Sequence, residues 1–573
     1  MGQAARFFAQ LEQFGERPAL WTDTGRTVSY ADLATAADLH AKELGAPGLV
    51  FLEARNRADF IAAYLGCLRG GHTVYLFSAQ DNASLNALVE RYQPHVVVHC
   101  EPDGLDIVRR NAPDIVLAPD LRLLMSTSGS TGSAKFVKLS GRNLDENAKS
   151  IAQYLELDQA SRAITSLKPH YSYGLSIINS HLAVGGSLAL TELSVIDAGF
   201  WDTFSASGAD SLAGVPYTYE LLDRQGIRLS QVAGLRYATQ AGGRLSASLV
   251  QTFARDARDS GRRFYVMYGQ TEASPRMAYL PPEMAVEWPD SIGVPIPGGR
   301  FELFDDADRV IEGTGQPGQL VYHGPNVMMG YAGHRTELAT DDTPTFLLTG
   351  DIAVRNENGL FRIVGRIARF VKPFGVRVNL DEVEQWVNAS IGTAACIGTD
   401  DRIIAVFDES GAQGVEPLSD PANAARIAAQ FKLPPGTVDT RTVERIAKLE
   451  NGKTDYKALE RTYLTAQSTL DTVLPPSLLR LLFSRAFAER VWTEARSILG
   501  LSTPKWTGID EIFKVCLGLT SVDPDASFAD LSGDSLSYVQ VALGIEAYLG
   551  HLPDGWEYMS VADLEEADAT ASL

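Results

Sequence analysis

Ten residues in the first quarter of the chain bring small, hydroxylated and basic side chains into one short segment. The segment reads STSGSTGSAK from Ser126 to Lys135 and follows the apolar run Leu121–Met125. Glycine and serine let a loop curl tightly, so that backbone N–H groups and hydroxyls point at one anion, and Lys135 adds a positive charge. This chemistry suits a phosphate, although the GxxxxGK[ST] spacing of the common nucleotide loop is absent. A flexible linker is the alternative that the segment alone leaves open.

Four later motifs decide between these two interpretations. Together with the serine-rich loop, their order and intervals resemble the adenylate-forming ligases (acyl-AMP synthetases) over about the first 460 residues. The resemblance implies an enzyme that activates a carboxylic acid with ATP and Mg²⁺. The motifs are YGQTE at Tyr268–Glu272, LTGD at Leu348–Asp351, GRIARFVKPFGVRV at Gly365–Val378 and NGKTD at Asn451–Asp455.

The resemblance also assigns the residues that hold ATP and the metal. Tyr268 is expected to stack on the adenine and Thr271 to contact a phosphate oxygen. Glu272 is expected to bind Mg²⁺, which prefers one or two carboxylates together with phosphate oxygens. Gly243 and Arg244 are expected on the adenine side. The β- and γ-phosphates are assigned to Ser126, Thr127, Ser128, Gly129, Ser130, Thr131, Gly132 and Lys135.

Three further residues complete the expected active site. An ionised carboxylate can accept two hydrogen bonds from a diol, and the resemblance assigns that role on the ribose to Asp351. Arg366 is expected to reach ribose or phosphate, and Lys453 to bridge the substrate carboxylate and the α-phosphate. Ala368 stands where the family usually has a hinge aspartate, so the residue about which the second domain pivots is left open.

The motif FADLSGDSLSYVQVALGIE, from Phe528 to Glu546, resembles an acyl or peptidyl carrier domain. In that family a serine at the position of Ser535 carries 4′-phosphopantetheine, whose thiol takes the acyl group as a thioester. Residues 501–573 contain 13 acidic and 2 basic residues, so much of the net charge lies in this module. A helix N-cap serine in an acidic helical domain is the alternative reading of Ser535.

The choice of acid is limited by one segment. Amino-acid-activating relatives usually have an aspartate in the stretch corresponding to Pro169–Ser176, and this sequence has none there. We therefore expect a carboxylic acid without an α-amino group; fatty, hydroxy and aryl acids all fit. The candidate pocket residues, for which aromatic core packing is an equal alternative, are His170, Tyr171, Tyr173, Tyr217 and Gln240.

Composition limits the partners and the compartment. The chain has 573 residues, 45% of them hydrophobic, and a formal net charge of −21. Such acidity argues against nucleic acid and anionic membranes as partners. No apolar run approaches the roughly 18 residues that span a bilayer, and the N-terminus lacks the pattern of a secretory signal. The four cysteines are scattered among apolar neighbours, which predicts buried free thiols and a cytoplasmic location.

The elements that must position these residues alternate along the chain. Short apolar runs at Leu49 (LVFLEA) and His95 (HVVVHC) predict buried parallel strands, separated by the helical stretch ADFIAAYLGCLRGG. We therefore predict an α/β protein. Its parts are a large multi-layer adenylation domain (1–364), a small mobile α+β domain (365–464), a linker (465–500) and a four-helix carrier domain (501–573).

Together these features predict a self-loading ligase, which adenylates an acid and transfers the acyl group to its own carrier domain. Two alternatives are an acyl-CoA ligase that uses free coenzyme A and a non-catalytic carrier scaffold. The expected partners are a small carboxylic acid, a phosphopantetheinyl transferase and a downstream enzyme that accepts the acyl group.

Overall fold

A computed structural model describes most of the chain. It does not describe the side chains of residues 82–84, 368, 421 and 465. The ranges outside the description are 1–5, 79–81, 127–134, 306, 372, 374–377, 400–401, 410–420, 432, 434–436, 450–452, 466–505, 507, 518, 520, 529–530, 532–540, 542–543, 546–547, 550–552, 554–555, 557–558 and 566–573.

The chain divides into two compact units. The first contains Met1–Arg369 and Ala447–Asp455, and the second contains Phe370–Ile446 and Tyr456–Leu573. The division at Arg369 lies a few residues after the predicted boundary at 364. The segment Ala447–Asp455 lies within the range predicted for the small domain, and its contacts group it with the first unit.

The largest sheet of the first unit has nine strands, with parallel pairing through its centre. Its central strands are fully buried, for example Ser211–Gly214 and Tyr237–Gln240, as expected for parallel strands covered on both faces. In spatial order the strands are Val294–Pro295, Arg276–Leu280, Arg263–Gly269, Tyr237–Gln240, Ser211–Gly214, Arg162–Ile164, Ser187–Ala189, Pro18–Trp21 and Thr27–Ser29.

A second sheet of seven strands contains the runs predicted from LVFLEA and HVVVHC. The strands Leu49–Glu53 and Val96–Glu101 pair in parallel, which confirms both predictions. The helix Ala58–Arg69, predicted between them, is buried along almost its whole length. In order the strands are Tyr331–Ala332, Phe136–Ser140, Leu121–Ser126, Thr73–Phe77, Leu49–Glu53, Val96–Glu101 and Gly104–Arg109.

One continuous hydrophobic core joins the layers of the first unit. It includes Leu52 of the seven-stranded sheet, Leu188 of the nine-stranded sheet, and Leu33 and Phe60 of the helices Tyr30–Leu44 and Ala58–Arg69. The other helices of this unit are Asn82–Tyr92, Gly141–Leu155, Ser172–Ala183, Ala198–Ser207, Pro216–Arg224 and Ala247–Asp259.

The region after Arg300 forms a four-stranded antiparallel sheet. A tight turn at Asn358–Gly359 joins its last two strands, and Gly359 adopts φ of 76°, which glycine accommodates without strain. The sheet brings Asp351 opposite Arg366. Its strands are Arg300–Phe304, Pro317–His323, Leu347–Arg355 and Phe361–Arg366.

The second unit contains a small α+β core and a carboxyl-terminal module. Strands Ala394–Gly398 and Ile403–Asp408 form an antiparallel pair, and Val438–Val443 extends it in parallel. Strands Phe370–Val371 and Val378–Asn379 form a two-stranded sheet. The helices are Leu380–Ser390, Pro421–Gln430, Tyr456–Glu460, the π-helical turn Arg461–Thr465 and, in the carboxyl-terminal module, Ile509–Leu517.

The carboxyl-terminal module has a hydrophobic core of its own. Ile512 and Phe513 of the helix Ile509–Leu517 pack with Phe528, Val541 and Trp556. Of the predicted four helices, only this one is described along its length. The linker, apart from residue 465, and Ser535 lie outside the described residues.

Two sequence expectations concern the whole described part of the chain. Cys67, Cys100 and Cys396 are buried free thiols, whereas Cys516 is half-buried. No helix in the described ranges is long and apolar enough to cross a membrane.

Candidate active site

The serine-rich loop joins two antiparallel strands of the seven-stranded sheet. Ser126 ends the first strand and pairs with Phe136, which begins the second. Phe136 is fully buried, with its ring centroid 4.4 Å from that of Tyr75 and 4.3 Å from that of Tyr92. This packing anchors the end of the loop beside the exposed Lys135. The assigned residues Thr127, Ser128, Gly129, Ser130, Thr131 and Gly132 lie outside the described residues.

The YGQTE segment leaves the end of the strand Arg263–Gly269 and turns through a short 3₁₀ helix, Thr271–Ala273. The Glu272 carboxylate accepts a hydrogen bond of 2.8 Å from the hydroxyl of Tyr331. The Thr271 Oγ1 atom lies 3.5 Å from Oγ of Ser172. The segment is thereby held at the end of the central strands, where α/β sheets bind their ligands.

The Asp351 carboxylate accepts hydrogen bonds from three side chains, and the residue is only 2% exposed. Arg366 Nε donates to Oδ1 at 3.0 Å, and both the hydroxyl of Tyr268 and the amide of Gln270 donate to Oδ2. Burial and the Asp351 charge raise the pKa of Tyr268 well above its ordinary value, so its hydroxyl stays protonated and donates. A carboxylate offers about four lone-pair sites, which leaves acceptor capacity for a ligand hydroxyl.

The segment Ala447–Asp455 brings Lys453 to the first unit. The backbone N–H of Leu449 donates to the carbonyl oxygen of Lys453 at 2.7 Å, and Lys448 and Thr454 form an antiparallel bridge. On the neighbouring arm, Nζ of Lys448 lies 5.2 Å from the ring centroid of Tyr217, a distance typical of a cation–π contact.

Charged side chains of the first unit act on the ammonium group of Lys453. The side chain keeps exposed surface. Even so, desolvation by the surrounding protein and the positive charge of Arg366 lower the pKa of its ammonium, while the carboxylates of Asp351 and Glu272 act in the opposite direction. Residues far apart in the sequence therefore share one electrostatic environment.

The glycine-rich segment after the strand Tyr237–Gln240 is held by the last residue of that strand. Gln240 is 1% exposed, and its Nε2 donates to the carbonyl oxygen of Gly243 at 2.8 Å. The backbone at Gly242 has φ of 86°, a conformation that favours glycine. Gly243 and Arg244 are exposed. Gln240, expected in the substrate pocket, thus supports the loop expected on the adenine side.

The aromatic candidates for the substrate pocket occupy different environments. Tyr173 is buried, and its hydroxyl lies 2.8 Å from Oγ1 of Thr239. The rings of His170 and Tyr171 lie 4.1 Å apart. Burial, followed by the nearby charge of Lys168, lowers the pKa of His170 to about 4, so the imidazole is neutral at pH 7.

Sequence reasoning missed Arg276. This residue begins the strand Arg276–Leu280 and is 2% exposed. Its Cζ lies 4.8 Å above the ring centroid of Tyr173, and its Nη2 donates to Oγ of Ser176 at 3.2 Å. A charged residue at the head of the otherwise apolar run RMAYL was the available signal. Tyr331, the partner of Glu272, carried no such signal.

The described residues fit a magnesium ion held mainly by its nucleotide. Across the described part of the chain, no group of three or more histidine, cysteine or acidic side chains could hold a metal. The carboxylate of Glu272 lies in the short helix that follows the strand Arg263–Gly269. Mg²⁺ commonly uses one or two carboxylates and takes its other ligands from phosphate and water, so this donor set fits.

Sequence comparisons find one matching family model and several similar proteins. The family model described as AMP-binding enzyme matches residues 7–332. A long-chain-fatty-acid–CoA ligase of Yersinia pestis is 29% identical over 56% of this chain and 58% of its own length. A feruloyl-CoA synthase of an Amycolatopsis species is 26% identical over 56% of this chain and 64% of its own. The nonribosomal peptide synthetase sidE of Aspergillus fumigatus is 24% identical over 94% of this chain and 26% of its own. The chain thus spans less than two thirds of each relative.

Solved structures share the fold. ATP-bound MatB from Rhodopseudomonas palustris superposes with a TM-score of 0.66 at 22% identity, covering 80% of this chain and 98% of MatB. O-succinylbenzoate coenzyme A synthetase (MenE) from Bacillus subtilis with AMP gives 0.65 at 19% identity, covering 80% and 98%. The predicted mixed α/β fold is confirmed over this range.

Proposed function

The chain belongs to the AMP-binding enzyme family, and from that membership we propose that it activates a carboxylic acid with ATP and passes the acyl group to its own carrier module. A carboxylate oxygen attacks the α-phosphorus of ATP, and the bond from that phosphorus to the bridging oxygen of pyrophosphate breaks. The products are an acyl adenylate and pyrophosphate. In the second half-reaction a thiol attacks the acyl carbon and loses its proton, and AMP leaves.

The observation that carries the proposal is that the segment of Lys453 belongs to the first unit, in which Arg366 and Asp351 form an ion pair at 3.0 Å. Joining two anions requires positive charge where the negative charge develops. The Lys453 ammonium senses Arg366, Asp351 and Glu272 together, so these side chains can act on one ligand. We assign Lys453 to the reacting carboxylate and α-phosphate, and Arg366 to ribose or phosphate.

The remaining nucleotide contacts follow from the same arrangement. Asp351, buried with spare acceptor capacity, suits the ribose hydroxyls, and the Tyr268 ring suits the adenine. Lys135 at the end of the serine-rich loop suits the terminal phosphates. Glu272 and a phosphate oxygen would hold Mg²⁺, which neutralises the charge of the polyphosphate when bound. Thr271 suits a phosphate oxygen beside it.

Two observations support the carrier part of the proposal. Residues around the helix Ile509–Leu517 have a hydrophobic core of their own, which suits a separate module. The match to the nonribosomal peptide synthetase covers 94% of this chain, and the residues outside the match are fewer than the residues of the module. The similarity therefore extends into the module. We propose Ser535 as the site of 4′-phosphopantetheine, which supplies the acceptor thiol when attached. A phosphopantetheinyl transferase and a downstream acyl-accepting enzyme are the partners this implies.

Free coenzyme A as acceptor is the second candidate. The Yersinia and Amycolatopsis relatives are named as a CoA ligase and a CoA synthase, and the matched part of the chain is the part that activates the acid. The carrier module would then serve another purpose.

The deciding experiment is the intact mass of the pantetheinylated full-length protein after incubation with ATP, Mg²⁺ and a pool of carboxylic acids. We expect a mass gain that is lost in Ser535→Ala and kept in Ser521→Ala, a substitution of an exposed serine in the same module. Pyrophosphate release without a mass gain, together with acyl-CoA formation when coenzyme A is added, would favour the second candidate. Absence of pyrophosphate with every acid would reject both and favour a non-catalytic scaffold.

A further inference from the structure

Arg276 is a buried cation without a matching anion. Its side chain is 2% exposed, and its Nε has no hydrogen-bond partner. Within the described ranges no carboxylate pairs with it; its side chain contacts the Tyr173 ring and the hydroxyls of Ser176 and Tyr154. Burying an unpaired charge is expensive, so buried arginines are normally paired. The missing anion requires an explanation.

The surroundings of Arg276 could receive that anion. Arg276 lines a small cavity together with Tyr173, Ser176, His181 and Tyr237. Burial raises the pKa of both tyrosines, which therefore remain neutral hydroxyls. Burial lowers the pKa of His181 to about 4, so this side chain is uncharged at pH 7. The cavity wall thus carries one positive charge, that of Arg276, and polar hydroxyl groups.

The cavity lies next to the proposed adenylation site. Met267 lines it, and the next residue in the strand, Tyr268, bonds to Asp351. Tyr173 also lines it, and the preceding Ser172 lies 3.5 Å from Thr271. An acid whose reacting carboxylate faces the nucleotide can therefore extend its other end toward Arg276.

We propose that the acid activated by this protein carries a second carboxylate, and that Arg276 binds it. The inference rests on the proposed function and specifies its substrate. The planar guanidinium can hold a carboxylate through paired N–H groups, including the unpartnered Nε. The same positive charge repels an ammonium group, in agreement with the absence of an aspartate from Pro169–Ser176.

The test measures pyrophosphate release by the full-length protein with matched acids. Succinate, glutarate and adipate are compared with their monoamides, which keep size and shape but lose one charge. Since a hydrogen bond to a charged group contributes strongly, we expect kcat/KM to favour the diacid by about 10- to 100-fold. In Arg276→Gln this ratio should fall to near one, and Arg276→Lys should restore part of it. Arg258→Gln, an exposed arginine in the helix Ala247–Asp259, should keep the wild-type ratio.

The outcomes separate this inference from the proposed function. If the wild type turned over the monoamides, or acids with a single carboxylate, as well as or better than the diacids, the role of Arg276 would be overturned. Activation of a carboxylic acid would remain supported. If no pyrophosphate were released with diacids or with fatty and aryl monoacids, both the role of Arg276 and the proposed function would be overturned. If Arg276→Gln fails to fold, the wild-type ratio for the matched acids decides alone.

Discussion

Arg366 and Asp351 face each other across two antiparallel strands, and Nε of Arg366 donates a hydrogen bond of 3.0 Å to Oδ1 of Asp351. The Asp351 side chain is buried, at 2% exposure, whereas the Arg366 side chain is 61% exposed. Arg366 therefore compensates a buried negative charge and still presents positive charge at the surface of the site. This arrangement suits a ligand with both hydroxyl and phosphate groups.

Replacing Asp351 should weaken ATP binding more than it weakens the fold. Asp351→Asn removes the charge that would accept the ribose hydroxyls, so we expect the Kd for ATP to rise about 10- to 100-fold. Isothermal titration calorimetry measures this change directly. Asp259→Asn, an exposed acid in the helix Ala247–Asp259, serves as the control. An unchanged affinity in Asp351→Asn would exclude the ribose role.

Glu272 should govern the magnesium requirement. Its carboxylate is bonded to Tyr331 at 2.8 Å, and Mg²⁺ favours such an oxygen ligand. In Glu272→Gln we expect the Mg²⁺ concentration for half-maximal pyrophosphate release to rise at least about tenfold, since loss of even an outer partner of a metal ligand has that effect. Tyr331→Phe should change it less. Identical magnesium titrations of Glu272→Gln and wild type would count against the metal role.

Lys453 should limit the reaction at alkaline pH. The protonated form is the one that stabilises negative charge, and desolvation together with Arg366 lowers the pKa of its ammonium. As pH rises, the proton is therefore lost at a lower pH than from a fully solvated lysine, and kcat/KM for pyrophosphate release should fall. Arginine remains protonated throughout this range, so Lys453→Arg should lack this decline, at a lower overall rate.

The matched control for this experiment is Lys42→Arg, an exposed substitution in the helix Tyr30–Leu44, which should keep the wild-type profile. The assignment fails if Lys453→Arg shows the same alkaline decline as the wild type.

His181 should make the protein less stable in acid. Burial lowers its pKa to about 4 from an ordinary value of 6.5. Between these values the unfolded chain binds a proton at this site and the folded chain does not, so stability falls as pH decreases through this window. The loss reaches about 3 kcal/mol at pH 4. Urea denaturation midpoints at several pH values should show a shallower acid loss for His181→Asn than for wild type. The exposed substitution His334→Asn should retain the full loss.

Gly269 should tolerate no side chain. An added Cβ would collide with the carbonyl oxygen of Pro275 and lie 3.2 Å from the Cα of Arg276. Because both are backbone atoms, Gly269→Ala must move the loop that carries Thr271 and Glu272, at a cost of about 1–3 kcal/mol. We expect slower pyrophosphate release and a lower denaturation midpoint. Gly313→Ala, whose Cβ would meet nothing closer than 3.8 Å, should behave as wild type.

The sequence predicted much of the fold because short-range patterns carry that information. The apolar run at Leu49 became a buried parallel strand, and the helix Ala58–Arg69 formed where an apolar stretch lies between two such strands. The motif residues could be proposed from resemblance alone, since their spacing along the chain is distinctive. The first unit extends to Arg369, a few residues beyond the predicted boundary at 364, and the division depends on contacts between distant segments.

The sequence by itself determined the element types, the family motifs and the acidity of the carboxyl-terminal module, since each depends on neighbouring residues. Only the tertiary structure decided which distant side chains meet. It paired Tyr331 with Glu272, placed the Lys453 segment with the first unit, and buried Arg276 beside Tyr173 without an anion. Burial and proximity arise from contacts between segments far apart in the chain, and these contacts, rather than any local pattern, set the charge environment of a site.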